Sequence, residues 1–348
     1  MSRRLIILNN VFFLDRLFDE FDEVHYCPIF RTSAQKDFLK ECFDEIKRKY
    51  PSVHWSENIE LKVDDKVLSW NAENEQRTFG DSILPFQNRL LKNVDFEMKG
   101  SFTNFKKKVE LILPDKFSKF TIPFNKDVIQ ELDYYFSDKK LASTYFETRN
   151  GLIGRDFSTK FSKYLSSGVL DVRYLYNRVK DFEEINGANK STYWIIFELL
   201  WREFFYWHYQ VHGKYYFSKN GIINSKCDFS SFKLYKASEL KILTDIKFFH
   251  AALNELTQTG CLSNRVRQIF ASIWINDLQL DWRSGAEFFE SYLLDYDVFS
   301  NYGNWMYLAG VGVDPRGKRY FNIEKQLHTY DPENTYISKW YRPLSKCV

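Results

Sequence analysis

The chain has 348 residues, of which 18% are aromatic and 27% charged, and its formal net charge is +3. This length allows one large domain or two smaller ones. A charge so close to balance does not by itself indicate a polyanionic partner. Most of the aromatic side chains are interpreted as core residues, and a few can serve as platforms on which bases stack.

The cysteines are scattered and form neither a C-x-x-C pair nor a cysteine and histidine spacing typical of a metal site. This pattern predicts reduced thiols and an intracellular protein, cytoplasmic or, in a eukaryote, nuclear or organellar. No apolar run approaches the length of a membrane span. The apolar run near the start is broken by Asn9 and Asn10 and is followed by acidic residues, so it predicts a strand rather than a signal peptide. The five cysteines are Cys27, Cys42, Cys227, Cys261 and Cys347.

The first 85 residues are predicted to form a small α/β unit. Leu5–Leu8, Val24–Tyr26 and Val53–Trp55 have the composition of short strands. From Ala34 to Tyr50 the apolar residues recur at helical spacing. This β-α-β order indicates a parallel, Rossmann-like sheet. The sequence has no G-x-G-x-x-G and no G-x-x-x-x-G-K-[ST], so the unit shows no dinucleotide or triphosphate signature.

Residues 86–130 are predicted to be a connector, in which Pro114, Pro123 and the polar residues between them fit a surface linker. The basic run Lys106–Lys108 favours a solvated helix face over a polyanion site. Residues 131–348 have a helical, aromatic pattern and predict a large all-α domain. Its clearest element is Asn189–Trp207, which is apolar on nearly every face and therefore predicts a buried helix.

Some polar side chains lie inside strongly apolar sequence and need partners if they are buried. Glu198 and Arg202 are four residues apart on the predicted buried helix, in the favourable order for an ion pair. They can satisfy each other or a ligand. A ring system with hydrogen-bonding edges, such as a flavin, is one candidate for such residues. Further polar residues in apolar surroundings near the C-terminus are Arg267, Asp295, Asp297 and Asn301.

Together with Thr148–Leu152 (TRNGL), Ser158–Ser162 (STKFS) and Asn264–Arg267 (NRVR), these residues resemble the flavin-binding half of the photolyase/cryptochrome family, closest to its DASH branch. The resemblance is collinear over roughly residues 140–345. It implies a helical FAD-binding catalytic domain of photolyase type. It also implies light-driven repair of cyclobutane pyrimidine dimers in DNA, single-stranded DNA in particular, by an electron from reduced FAD.

The resemblance implies a role for each flavin-side residue. Tyr145 would lie on the phosphate side of the cofactor, and Arg267 would pair with Asp295 beside the ring. Asp297 would accept hydrogen bonds from ring N–H groups. Asn301 would face N5, where a neutral amide favours the reduced flavin. The remaining cofactor-binding residues of the family pattern are Ser158, Thr159, Lys160, Phe161, Ser162, Arg202 and Tyr296.

On the DNA side, Glu198 and Trp201 take the positions of the lesion-contacting glutamate and the lesion-stacking tryptophan. Trp201 would offer a flat apolar surface to an extruded pyrimidine pair. Tyr307 stands where many photolyases have a second tryptophan. Arg149 suits a DNA phosphate because its planar fork matches phosphate oxygens. Two further DNA-contacting positions are Asn264 and Gln326.

The resemblance also implies an electron relay, in which Trp305 and Trp282 match the inner and middle tryptophans. The outer position falls near Glu239, where no tryptophan occurs, and Tyr235 is a candidate substitute. The opening of the chain lacks the arginine-rich motif of the family's antenna domain. The N-terminal unit is therefore expected to be a shortened antenna-like domain without bound folate or deazaflavin.

Two other functions stay open at this point. One is a cryptochrome-like blue-light photoreceptor that binds FAD and nucleic acid without repairing it. The other is an interaction module in which the helical domain holds no flavin. His250 is interpreted as a core or surface residue rather than a catalyst.

Overall fold

The computed structural model describes residues 88–91, 101–123, 125–223, 229–313 and 317–342, together with three short strands near the N-terminus. The strands β1 (Leu5–Leu8), β2 (Glu23–Tyr26) and β3 (His54–Trp55) form a parallel sheet in the order β1-β2-β3. They coincide with the three predicted strand segments. The predicted helix at residues 34–50 lies outside the described residues, so the fold of the unit as a whole stays a prediction.

The rest of the described chain is helical, as predicted for the C-terminal part. Short π-helical and 3-10 segments extend some of the helices or connect them, such as the π-helical segment Ile273–Asp277. The α-helices are α1 (Phe102–Glu110), α2 (Lys126–Asp133), α3 (Tyr145–Thr148), α4 (Ser162–Ser167), α5 (Val172–Asn186), α6 (Lys190–His212), α7 (Ala237–Ile242), α8 (Lys247–Thr259), α9 (Asn264–Ser272), α10 (Trp282–Tyr292), α11 (Val298–Ala309), α12 (Ile323–Tyr330) and α13 (Thr335–Trp340).

Helix α6 lies at the centre of the helical domain, and α1, α3, α5 and α11 pack against it. It begins at a capping box: Asn189 Oδ1 accepts from the backbone N–H of Thr192 at 3.0 Å, and Thr192 Oγ1 accepts from the N–H of Asn189 at 3.1 Å. These bonds satisfy N–H groups that the helix itself leaves without partners. The buried helix predicted from the apolar run is therefore confirmed.

Helix α1 lies inside the predicted connector and belongs to the core. It buries Phe102, Phe105 and Val109 against the domain and leaves Lys107 and Lys108 exposed. The solvated basic face predicted for this run is confirmed. Residues 111–122 are mostly exposed, as expected of a surface linker. None of the described helices is long and apolar enough to cross a membrane.

Candidate functional site

The salt bridge between Arg267 and Asp295 is the first element of the site. Arg267 lies in the first turn of α9, and Asp295 lies in the loop between α10 and α11. One guanidinium nitrogen donates to both carboxylate oxygens, at 2.9 and 2.8 Å, while Nε donates to the carbonyl of Leu262 at 3.0 Å. Three bonds hold the guanidinium plane in one orientation. The predicted pairing is present, and its place beside a flavin stays a prediction.

Asp297 lies two residues further on and is held from two sides. One carboxylate oxygen caps α11 by accepting from the N–H of Ser300 at 2.8 Å. The other faces Arg89 at 3.3 Å and Arg202 at 4.0 Å. Burial alone would raise the pKa of Asp297, but the two guanidinium groups and the helix cap outweigh it and hold the pKa below its ordinary value.

The segment at residues 88–91 is locked into this site rather than lying on the surface. The side-chain N–H₂ of Asn88 donates to the carbonyls of Leu165 and Leu170, both at 2.9 Å, and its oxygen accepts from the N–H of Val172 at 2.7 Å. Arg202 donates to the backbone carbonyl of Asn88 at 2.5 Å. Arg202 therefore connects the buried helix α6 to the connector.

Glu203 is a site-supporting residue that the sequence interpretation passed over. Its carboxylate is fully buried and accepts from the backbone N–H groups of Leu90 at 2.7 Å and Leu91 at 3.4 Å. Burial raises the pKa of Glu203, while Arg89 and these N–H groups oppose the rise. A carboxylate in a helix that is apolar all round is itself a signal of a required partner. That signal identified Glu198 and Arg202 but applies equally to Glu203.

Of the two alternatives left open for Glu198 and Arg202, pairing with each other is not observed among the described residues. Glu198 instead pairs with Arg149 at 3.2 Å and accepts from the indole N–H of Trp194 at 3.2 Å. Arg149 in turn lies 4.9 Å from the centre of the Trp194 ring. Burial raises the pKa of Glu198, and Arg149 and the Trp194 hydrogen bond oppose this. Helical spacing makes a pair of Glu198 with Arg202 possible. Glu198 instead contacts Arg149, at the end of α3, and Arg202 contacts Asn88 of the connector.

Trp201 and Tyr307 stand nearly at right angles, with ring centres 6.0 Å apart and planes at 76°. Both are partly exposed. Phe102 of α1 stacks on one face of Trp201 at 3.6 Å, with planes only 8° apart. Phe102 therefore covers one face of Trp201, and the Phe205 ring lies 5.5 Å away with its plane at 32° to the indole. The hydroxyl of Tyr307 contacts the guanidinium of Arg319.

The loop at residues 158–162 presents a cation and several hydroxyl groups. Lys160 adopts a left-handed backbone conformation with φ of 57°, and its ammonium lies 3.4 Å from the centre of the Phe157 ring. Burial lowers the pKa of Lys160 to about 8. The side-chain hydroxyls of Ser158, Thr159 and Ser162 have no hydrogen-bond partner among the described residues. Phe161 packs into the core at 1% exposure, so only its backbone belongs to the loop surface.

Asn301 and Trp305 lie one turn apart on α11, and both are buried. The side-chain N–H₂ of Asn301 donates to the carbonyl of Ala286 at 2.9 Å, which fixes the amide. Its oxygen accepts no hydrogen bond from any described residue. Trp305 packs edge-to-face on Phe289 at 5.1 Å. Trp282, at the start of α10, lies with its ring against Tyr302 at 6.2 Å.

The other predicted residues lie around this centre. Asn264 is exposed at the start of α9. Gln326 lies on α12, and its side-chain oxygen is buried with no hydrogen-bond partner among the described residues. Tyr145 and Tyr296 are partly exposed and pack against the core, and burial raises the pKa of Tyr145. His250 is buried with its Nε2 2.7 Å from the carbonyl of Thr244, which agrees with its interpretation as a core residue.

Glu255 gives this region a measurable pH dependence. Tyr336 donates to it at 2.5 Å, and burial raises the pKa of Glu255 to about 7. Because the folded protein binds this proton more tightly than the unfolded chain, stability should fall as the pH rises from the ordinary glutamate value towards 7. Replacing Glu255→Gln keeps an acceptor for Tyr336. It should raise the free energy of unfolding by about 1–3 kcal/mol at pH 8 and change it little at pH 4. Urea unfolding at the two pH values checks this, and equal effects would contradict it.

Comparison with known proteins identifies the family. The family model of the FAD binding domain of DNA photolyase matches residues 194–347. A cryptochrome DASH of Idiomarina loihiensis is 39% identical over 375 residues, covering 99% of this chain and 78% of that protein. The chain belongs to the cryptochrome DASH branch of the photolyase/cryptochrome family. The structure of a Synechocystis cryptochrome matches with a TM-score of 0.70 and 26% identity, over 97% of this chain and 88% of that one.

Other cryptochrome DASH proteins match over a shorter part of their length. The one from Vibrio parahaemolyticus is 49% identical over 208 residues, which cover 60% of this chain and 46% of that protein. The one from Danio rerio is 45% identical over 222 residues, or 42% of that protein. Against these relatives the match spans less than half of the whole protein.

The described residues fit a DASH flavin site. The acceptor oxygen of Asn301 has no partner within the described chain, although its amide is fixed. The salt-bridged Arg267 and the doubly held Asp297 offer rigid polar groups. The Lys160 loop offers a cation, together with hydroxyl groups that have no partner among the described residues, which suits a diphosphate. The predicted assignment of these residues to FAD is therefore kept as a proposal below. No group of histidine, cysteine or acidic side chains within the described ranges could hold a metal ion.

Proposed function

We propose that this protein repairs cyclobutane pyrimidine dimers in DNA, with single-stranded DNA as the preferred form, by light-driven electron transfer from reduced FAD. The observation that carries the proposal is the right-angled pair of Trp201 and Tyr307 with Glu198 one helical turn from Trp201. Residues three positions apart on a helix share a face. An aromatic wall with a carboxyl group beside it suits a pyrimidine dimer, whose two joined bases can stack on the wall and expose carbonyl groups.

Bound FAD supplies the electron once it is reduced and excited by blue light. The chain's own contribution is to hold the cofactor. Asn301 would accept a hydrogen bond at the central edge of the flavin, and Asp297 would accept from the ring N–H groups. Arg267, fixed by Asp295, would lie beside the ring. The Lys160 loop would hold the diphosphate.

The lesion would be held against the partly exposed surface of Trp201 that Phe102 does not cover. Stacking of a base on an aromatic ring contributes about 1–3 kcal/mol and does not depend on base sequence. A dimer must leave the base stack to reach this wall, which costs less in a single strand. This argument supports single-stranded DNA as the preferred substrate.

Arg149 and Glu198 would change partners when DNA binds. A DNA phosphate competes with Glu198 for the Arg149 guanidinium. Once Arg149 moves to the phosphate, one of the groups that lower the pKa of Glu198 is removed, and the partly buried carboxyl group is favoured in its protonated form. A protonated carboxyl group can then donate to a carbonyl oxygen of the dimer.

Two glutamate variants test this role. Glu198→Gln keeps a neutral donor and should retain most repair. Glu198→Ala loses a hydrogen bond that gains strength as charge develops on the dimer, about 1.5–3 kcal/mol, so repair should fall about tenfold or more. The assay is recovery of intact pyrimidines in oligonucleotides that carry one dimer, under blue light, with dithionite-reduced protein. Trp340→Phe, on α13, is the matched control for handling and folding. Equal repair by the alanine and glutamine variants would contradict the assigned role.

The visible absorption of the purified protein and the same repair assay together separate the candidate functions. A colourless purified protein would exclude flavin chemistry and leave the interaction module. A yellow protein that binds dimer-containing DNA without restoring it, on single or double strands, would favour the blue-light photoreceptor. Recovery that is faster on single strands supports the proposal in full.

A further inference from the structure

A line of aromatic rings connects Trp305 with the protein surface. Trp305 meets Trp274 edge-to-face, with ring centres 6.1 Å apart and planes at 77°. Trp274 meets Tyr235 in the same way, at 5.6 Å and 88°. Trp305 and Trp274 are buried, whereas Tyr235 is partly exposed. The three rings therefore form an unbroken path from the centre of the domain to solvent.

We propose that Trp274 and Tyr235 form an electron-transfer branch through which Trp305 is re-reduced from the surface. The inference rests on the proposed function, because the oxidant is the light-excited oxidised FAD. The predicted middle residue, Trp282, has its ring against Tyr302 and donates its indole N–H to the carbonyl of Lys219 at 3.0 Å. Electron transfer between side chains weakens steeply with distance, and the rings of Trp305, Trp274 and Tyr235 follow one another with centres 6.1 and 5.6 Å apart.

The segment that carries Tyr235 is fixed against the start of α10. The N–H of Asp281 donates to the hydroxyl of Ser230 at 3.1 Å, and the N–H of Lys233 donates to the hydroxyl of Ser284 at 3.2 Å. The indole N–H of Trp274 donates to the carbonyl of Asp281 at 3.0 Å. The Trp274 ring and the segment that carries Tyr235 are thus both hydrogen-bonded to residues 281–284, which keeps the two rings at a constant separation.

The chemistry of the branch balances in three electron transfers followed by one regeneration step. With FAD bound, Trp305 would give one electron to the light-excited oxidised cofactor and would become a radical cation. Trp274 then passes one electron to the Trp305 radical cation. The indole proton of Trp274 stays on its own nitrogen, in the hydrogen bond to the carbonyl of Asp281. Tyr235 then refills Trp274 and releases its phenolic proton to solvent, which leaves a neutral tyrosyl radical. An added thiol returns one hydrogen atom, an electron with a proton, to Tyr235.

Lys233 makes Tyr235 a suitable end point. Its ammonium lies 5.0 Å from the centre of the Tyr235 ring. Burial raises the pKa of Tyr235, whereas the ammonium of Lys233, which also pairs with Glu239 at 3.3 Å, opposes that rise and disfavours a cationic ring. The hole is then trapped at the surface as a neutral radical rather than returning to Trp274.

Electron paramagnetic resonance of the illuminated, flavin-loaded protein tests the branch. The wild type should give a radical signal that narrows when ring-deuterated tyrosine is incorporated. Tyr235→Phe, which keeps the ring and removes only the hydroxyl, should lose that signal. Trp274→Phe should lose it as well and should slow bleaching of oxidised flavin in the presence of thiol. The exposed Tyr320→Phe is the matched control and should behave as wild type.

Repair by dithionite-reduced protein distinguishes this inference from the proposed function. That reaction needs no relay, so Tyr235→Phe should repair dimers at the wild-type rate. A tyrosyl signal that survives in Tyr235→Phe, or photoreduction unchanged in both variants, overturns the branch while repair stands. Loss of repair in the reduced wild type overturns the proposed function, and the radical signal then still decides the branch. A protein without bound flavin overturns both.

Discussion

Replacing Asp297 by asparagine should lower the free energy of unfolding by about 3 kcal/mol and reduce the amount of FAD that copurifies with the protein. Asparagine caps a helix as well as aspartate does, so the bond to Ser300 can be kept. The variant therefore removes the charge and little else. Arg89 and Arg202 would then face a neutral amide in a buried site where a carboxylate stood. Urea unfolding at pH 7 and the ratio of flavin to protein absorbance measure the two effects.

Asp281→Asn is the matched control for this variant. Asp281 is also buried, also caps a helix and also pairs with an arginine, with Arg283 donating to it at 2.7 Å. It should lose stability by a similar amount and keep the wild-type flavin content. Equal loss of flavin in both variants would show that flavin content follows stability alone, contrary to the assignment of Asp297.

The stability difference at Asp297 should also depend on pH. Its pKa lies below the ordinary aspartate value in the folded protein, so its contribution is present above that ordinary value and is lost as the pH falls through the folded value. The gap between wild type and Asp297→Asn should therefore narrow in acid. A gap of constant size would mean that the carboxylate charge is not its source.

Much of the helical domain was predictable because its elements carry local signals. The run at Asn189–Trp207 is apolar on nearly every face, which is typical of a buried helix. The solvated face of α1 followed from its three lysines. The pairing of Arg267 with Asp295 came from the family resemblance and is present in the structure. These features are set by short stretches of sequence or by a pattern shared with relatives.

The connector shows what local signals miss. Asn88 and Arg89 read as part of a surface linker, yet one holds the start of α5 and the other faces Asp297. Nothing in a segment that short indicates which distant element it packs against. The choice left open at Glu198 and Arg202 has a related cause: four-residue spacing brings two side chains within reach of each other. The spacing does not show whether Glu198 contacts Arg202 or Arg149, or whether Arg202 contacts Glu198 or the connector.

The relay shows the same limit. Family positions singled out Trp282, whereas Trp274 looked like one more core residue in an aromatic-rich chain. Only the ring contacts show that Trp274 links Trp305 to Tyr235. Tyr235 itself was named as a substitute electron donor from its sequence neighbourhood, and the structure supplies the ring between them.

Gly285→Ala should destabilise the protein by about 1–3 kcal/mol through overpacking. Gly285 lies inside α10, where its backbone is compatible with alanine. Alanine is intrinsically favoured there by about 1 kcal/mol, so any loss must come from contacts. A Cβ at this position would overlap the outer six-membered ring of Trp305, with Cζ3 at 2.5 Å and Cζ2 at 2.9 Å. The glycine is therefore what lets the Trp305 ring lie against α10. Urea unfolding measures the loss.

Trp305→Phe provides the decisive comparison, because phenylalanine lacks the outer ring atoms that meet the new methyl group. In that background Gly285→Ala should be neutral or slightly stabilising, and the four proteins of the cycle should show a coupling energy of about 1–3 kcal/mol. The same loss in both backgrounds would place the strain elsewhere. If the coupling is present, Trp305 has moved in the single variant. Bleaching of oxidised flavin should then slow in Gly285→Ala even though every ring of the relay is retained, because the gap between Trp305 and its neighbours has changed.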